Sequence, residues 1–273
     1  MAIRRAIGTL VAAAVLTGSG VSASRHSEAR TVVIAELFTS EGCSSCPPAD
    51  DLLRRLIDTQ PVKGVEVIGL GNHVDYWDGL GWRDPFSSSL FSARQSRYDD
   101  AVFKSDRIYT PQLVVDGVFE AVGSDNNAVR RAILQAAARP KAIVTVRAMP
   151  DREGRARVDV RVDVPANARS HQAAEIIVAV TEDGLNSRVK RGENGGRTLS
   201  HSAVVRSLTV VGQIDAEAET AAATADVAID STWKTVNIRV VAFAQEKDSR
   251  RILGGGYSLL ARAPDQGDGH GHQ

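Results

Sequence analysis

Residues 36–56 read ELFTSEGCSSCPPADDLLRRL, and they hold both cysteines of the chain, Cys43 and Cys46, just ahead of a helical pattern. Working outward, Thr31 to Phe38 is an unbroken apolar run of the kind a buried strand needs. Pro47 to Thr59 places Leu52, Leu53, Leu56 and Ile57 on one helical face, and Val65 to Leu70 is a second buried strand. This is a βαβ unit with the cysteines at the turn from strand to helix. Unpaired N–H groups and the macrodipole at a helix start favour negative charge, so Cys43 is expected to be the attacking thiolate. Cys46, one turn inside, is placed to resolve a mixed disulfide, and Pro47 suits a first helical position because it has no N–H to leave unpaired.

Three roles compete for the pair. A zinc site wants four ligands and a lone Cys-x-x-Cys supplies two, with His73, Asp75 and Asp78 as the nearest reinforcements. Cu(I) is softer and is satisfied by Cys43, Cys46 and His73, which makes a periplasmic copper carrier the alternative cofactor reading. A purely structural disulfide closing so short a loop removes little entropy from the unfolded chain. The preferred reading is a redox-active dithiol–disulfide couple with no other cofactor.

The segment from residue 72 to 108 is irregular and aromatic, and partly helical around Ser92 to Phe103. Gln112 to Asp116 and Val118 to Val122 form a hairpin about Asp116-Gly117. Asp125 or Asn126 then caps a helix reaching about Ala138, with Val129, Ile133 and Leu134 facing inward, and Arg139-Pro140 ends it. The order β-α-β, then β-β-α, is that of a minimal thioredoxin-like α/β domain, here residues 30–140 with an insertion over about 72–108. Thr110-Pro111, just before a strand, stands where that fold carries a cis-proline facing the cysteines. Without an N–H, the proline leaves the neighbouring backbone free to pair with a substrate strand. Two further groups have alternative readings. Glu36, in an otherwise apolar strand, is either a proton acceptor for Cys46 or the partner of an arginine. His73 is either a charge partner for the Cys43 thiolate or a hydrogen-bonded loop histidine.

Past Pro140 the period becomes two. Ile143 to Arg147, Val158 to Val164, Glu175 to Thr181, Ala203 to Val211, Ala225 to Ile229, Val236 to Phe243 and Gly254 to Leu260 read as strands of an antiparallel β-sandwich domain over residues 141–262. Arg191 to His201 reads as a polar, glycine-rich loop, and residues 263–273 as a disordered tail. At the other end, Arg4-Arg5, the apolar run Ala6 to Leu16 and Val21-Ser22-Ala23 read as a signal peptide over residues 1–23, which points to a periplasmic or secreted protein without a membrane span. The chain has 33 basic and 33 acidic residues, a balance that gives no electrostatic case for nucleic acid as a partner. The expected partners are protein thiols or disulfides of the cell envelope and a redox partner of unknown identity.

Three stretches in combination, FTSEGCSSCPPAD, HVDYWDGLGWRDPF and YTPQLVVDG, resemble the exported bacterial thioredoxin-like proteins classed as a domain of unknown function. The resemblance covers most of the chain past residue 23. It implies a thioredoxin-like domain with an appended β-rich domain. It implies little about substrate, since that family has no established activity. The residues themselves lead to a thiol–disulfide oxidoreductase, with a non-catalytic binding module as the third possibility beside the copper carrier. The buried acid of well-studied thioredoxins maps onto Leu37, so Glu36, Glu41 or His73 is left to take its part.

Overall fold

The computed structural model describes residues 30–260 apart from Arg152. The expected signal peptide and the expected tail past residue 263 lie outside the described residues. Strand β1 (Thr31–Thr39) is buried on both faces from Val33 onward. Helix α1 (Pro47–Thr59) carries the chain across to β2 (Val65–His73), which pairs with β1 in parallel. Helix α2 (Ser89–Tyr98) starts where the Ser88 hydroxyl accepts from Leu90 N–H at 3.2 Å, and it widens into a π-helical turn over Asp99–Phe103. Strand β3 (Gln112–Val115) then pairs antiparallel with the free side of β1, and β4 (Phe119–Val122) forms the edge. Helix α3 (Asn126–Ala137) is capped by the Asp125 carboxylate, which accepts from Ala128 N–H at 3.0 Å. It packs beside α1 on one face of these strands. Its buried side is Val129, Ala132, Ile133 and Ala136; Leu134, expected inside, is 45% exposed because one further residue turns it about 100° off that stripe.

The second half is strand apart from two single 3-10 turns, Ala166–Ala168 and Thr235–Asn237: β5 (Ile143–Pro150), β6 (Arg155–Asp163), β7 (Ala174–Glu182), β8 (Leu185–Arg188), β9 (Thr198–His201), β10 (Val204–Ile214), β11 (Thr220–Ala228), β12 (Ile238–Glu246) and β13 (Ile252–Leu259). Antiparallel β11-β6-β5 packs as one layer on β7, β10, β12 and β13 as the other, a β-sandwich. Alternation builds its core: Val158, Val160 and Val162 of β6 face Ile176, Val178 and Val180 of β7 and Val240, Ala242 and Ala244 of β12.

The larger layer continues into the first half. One eight-stranded sheet runs β13-β12-β7-β10-β2-β1-β3-β4, joined across the halves by the parallel bridge Val204 to Gly71. On the face away from α1 and the smaller sheet, Ile34, Phe38, Ile68 and Leu70 meet Ile177, Val241 and Phe243 around Phe91 and Tyr98 of α2. The sheet curls over this core until Ile252 N–H donates to the Asp116 carbonyl at 2.9 Å. Consecutive glycines let β13 be approached closely from both faces: a Cβ on Gly254 or Gly256 would run into the carbonyls of Ala142 and Val144, and one on Gly255 into Ile34.

A polar network sits inside that apolar core. Arg94 Nε and a terminal nitrogen donate to the two Glu36 carboxylate oxygens at 2.6 and 2.8 Å, and the Tyr98 hydroxyl donates to the same carboxylate. Gln245 of β12 accepts from Arg94 at 3.1 Å and donates to the Tyr98 hydroxyl at 2.8 Å. All four residues are buried. Burial alone would raise the Glu36 pKa, but the Arg94 charge and the bonds from Arg94, Tyr98 and Asn72 outweigh it and hold the carboxyl below its usual range. Of the two sequence readings of Glu36, the arginine pairing is the one formed.

Candidate functional site

Cys43 and Cys46 are joined by a disulfide at the end of β1. The turn is tight: Cys43 N–H donates to the Ser40 carbonyl and Cys46 N–H to the Cys43 carbonyl, each at 3.2 Å. Cys46 caps α1, and Pro47 and Pro48 follow where intrahelical N–H partners are absent anyway. Ser44 and Ser45 between the cysteines are exposed, yet both cysteines are 0% exposed.

Trp77 lies beside the turn and ties it to the 110–111 peptide. A Cβ on Gly42 would stand 3.0 Å from Trp77 Cβ, so Trp77 lies against the residue before Cys43. Trp77 Nε1 donates to Thr110 Oγ1 at 2.9 Å, and the Thr110-Pro111 bond is cis. Pro111 and Ala49 of α1 both pack on Gly123, where an added Cβ would stand 3.3 and 3.0 Å from them. Three stretches far apart in sequence, around residues 43, 77 and 111, thus converge on one spot.

Against the cysteine turn lies a cluster of buried acids and imidazoles. Asp84 accepts from Glu41 N–H at 2.8 Å and stands 2.7 Å from His73 Nδ1. Glu41 accepts from Trp82 Nε1 at 2.7 Å, and its other oxygen is 3.1 Å from His201 Nε2. The two imidazoles meet edge to face, 4.8 Å between centroids. His201 Nδ1 lies 3.9 Å from Asp50, whose backbone N–H donates to the Cys46 carbonyl one helical turn back. Burial would raise the Asp84 pKa, but His73 and the amides of Glu41 and Phe86 bring it below the ordinary value. Asp50 goes the other way: burial pushes it up to about 7, with only partial relief from His201 and Thr39. His73 is therefore hydrogen-bonded to Asp84. Among the described residues no three His, Cys, Asp or Glu side chains gather at metal-holding distances, so Cys43, Cys46 and His73 do not form the ligand set that the copper alternative requires.

A strap from the second half completes the site. Between β8 and β9 the chain folds back on itself, with Val189 N–H donating to the Arg197 carbonyl at 3.0 Å and Gly196 N–H to the Val189 carbonyl at 2.9 Å. Gly192 and Gly196 take φ of 78° and 85°, the left-handed region that glycine enters without strain. At the strap's tip Asn194, 0% exposed, donates from Nδ2 to the carbonyls of Glu41 and Cys43, both at 2.9 Å. Arg197 orients it by donating to Asn194 Oδ1 at 2.7 Å. Glu193 accepts from Ser44 N–H at 3.0 Å. The sequence marked Arg191 to His201 as a polar loop; neither its two flanking short strands nor its contacts some 150 residues back carry a local signal.

The comparisons agree with this architecture. The chain is similar to the protein AGR_C_4864 from Agrobacterium tumefaciens, known from X-ray crystallography, with 26% identity and a TM-score of 0.63 over 85% of this chain and 95% of that one. HBP35 of Porphyromonas gingivalis shares the fold at 14% identity, with a TM-score of 0.63 over 85% of this chain and 76% of that one. No curated protein matches. A family model spanning residues 34–245 takes in both halves, the cysteine turn, the cis-proline and the strap, and by that match the chain belongs to DUF1223, a family described as proteins of unknown function.

Proposed function

We propose that the protein is a thiol–disulfide oxidoreductase of the bacterial cell envelope acting on protein disulfides. The observation that carries this reading is the disulfide at the β1–α1 turn, with Trp77 against that turn and bonded to Thr110 of the Thr110-Pro111 peptide. In the reduced protein the Cys43 thiolate attacks a substrate disulfide, one substrate sulfur leaves as a thiolate, and a mixed disulfide forms. Cys46 then gives up its proton and attacks Cys43 sulfur, which restores the Cys43–Cys46 bond and releases the second substrate sulfur with the electron pair. Pro111, lacking an N–H, leaves the Thr110 backbone to hold the substrate strand. The extracytoplasmic location rests on the leader-like first 23 residues, and no helix among the described residues is long and apolar enough to cross a membrane.

One observation favours a second reading, a binding module with an inert disulfide: both cysteines are fully covered. The cysteine variants separate the two. Cys46→Ser is expected to accumulate mixed disulfides with envelope proteins, seen as adducts that reductant releases on a gel, whereas Cys43→Ser forms none and loses exchange altogether. Undiminished exchange in Cys43→Ser, or identical behaviour of both variants and the parent, sinks the oxidoreductase reading and leaves the binding module.

A further inference from the structure

The cysteine turn is held by a segment that the thioredoxin-like half does not itself supply. Two side chains at the tip of the strap bond the cysteine turn: Asn194 takes the Cys43 and Glu41 carbonyls and Glu193 takes the Ser44 amide. Gly192 lies on Trp82, where an added Cβ would be 3.3 Å from Trp82 Cβ, and Trp82 is bonded to Glu41 in the same turn. We propose that Glu193 and Asn194 are positioning residues that hold the oxidised pair closed and decide which reductants reach Cys43. The proposal rests on the redox reading and deepens it.

Charge gives the strap a preference between redox states. A disulfide is neutral. When a dithiol opens it, the reductant's first thiolate bonds to Cys43 sulfur while the Cys43–Cys46 bond breaks, and Cys46 takes the electron pair and a proton. The reductant's second thiol, losing its proton, closes the reductant's own disulfide and leaves Cys43 as a thiolate. That new negative charge needs the free N–H groups of the turn. With the strap closed, the Ser44 N–H is occupied by Glu193, itself an anion, whose hydrogen bonds with Ser44 keep its carboxyl below the ordinary range. Closure therefore favours the disulfide. By linkage, reduction favours a strap lifted off the turn, which frees the Ser44 amide and uncovers the site.

The test measures opening of the oxidised protein by dithiothreitol and by reduced thioredoxin, a protein dithiol too large to enter beneath a closed strap, in the parent, Glu193→Gln and Asn194→Ala. Asn194→Ala, which removes three hydrogen bonds, two of them to the cysteine turn, is expected to speed reduction by thioredoxin at least about tenfold and to speed dithiothreitol less. Glu193→Gln, an exposed change that keeps a hydrogen-bonding side chain, is expected to raise the ratio of reduced to oxidised protein severalfold in a fixed glutathione buffer. A thioredoxin rate in Asn194→Ala equal to the parent's overturns the gate. An unchanged ratio in Glu193→Gln overturns the electrostatic preference, even where Asn194→Ala proves too unstable to assay. A parent that opens equally fast to both reductants overturns the gate and leaves the redox reading intact. Gated opening without exchange on protein disulfides overturns the redox reading and leaves the gate.

Discussion

Arg94→Ala lowers the unfolding free energy by about 3–5 kcal/mol at pH 8, the cost of leaving a buried charge without its partner. The carboxylate left behind is Glu36, 0% exposed, which in the parent takes two bonds from Arg94 at 2.6 and 2.8 Å. The loss is not local, because Arg94 also bonds Gln245 of β12, and α2 thereby links the two halves of the long sheet through one network. Replacing both charges with apolar side chains of similar volume costs far less, since burying the pair was itself expensive. The pH dependence carries the sign. In the parent the Glu36 pKa is lowered, so its contribution is present above the unfolded value of 4.5 and is lost as pH falls through the folded value. In Arg94→Ala burial acts unopposed by the guanidinium, the folded pKa rises, and the variant loses stability as pH climbs through it. Urea unfolding at pH 5 and pH 8 should show a smaller deficit at pH 5. A deficit below about 1 kcal/mol at both values contradicts the account.

Asp50→Asn is expected to stabilise the oxidised protein above neutrality, an unusual sign for a substitution at a buried site. Burial raises the Asp50 pKa to about 7, so the native state holds a proton there across a range in which the unfolded chain, with a value of 3.8, does not. The raised value means that the favourable contribution is complete below about pH 4 and is lost as pH rises through about 7. Asparagine stays neutral throughout and offers polar groups toward His201 Nδ1 and Thr39 Oγ1, both buried without a hydrogen-bond partner. Relative to the parent, the variant should therefore gain on the order of 4 kcal/mol between pH 4 and pH 8, the free-energy equivalent of the displaced pKa. Denaturant unfolding at half-unit pH steps reads this directly. Parallel stability curves for the two proteins would show that Asp50 is ionised at neutral pH and that its charge is balanced by His201.

What the sequence made legible was local. Leu52, Leu53, Leu56 and Ile57 mark the buried face of α1 because a helix repeats its own period, and Cys46-Pro47 marks its start because proline needs no N–H partner. The prolyl bond after Thr110 was legible for a similar reason, from its place before a strand. The β-sandwich strands showed themselves by alternation. Partners did not, since alternation says which face a residue takes and is silent on which strand lies beside it. The bridge from Val204 to Gly71, which fuses both halves into one sheet, has no trace in either segment alone. The same holds for the site. His73 was singled out, but Asp84, His201, Glu193 and Asn194 reach the cysteine turn only through tertiary pairing, and the short strands β8 and β9 that aim the strap have four residues each, too few to reveal a period. Glu36 was legible as an anomaly, a carboxylate in an apolar strand, and its explanation lay 58 residues away in Arg94.

The central claim is that the Cys43–Cys46 disulfide opens and closes in service of other proteins. Its most direct test is the reduction potential of the pair, obtained by equilibrating the protein in glutathione buffers of known ratio and counting alkylated thiols by mass. The account predicts a value between about −120 and −270 mV, the span of working disulfide oxidoreductases. A value below about −300 mV would mark a disulfide that the glutathione pool cannot open, and would contradict it.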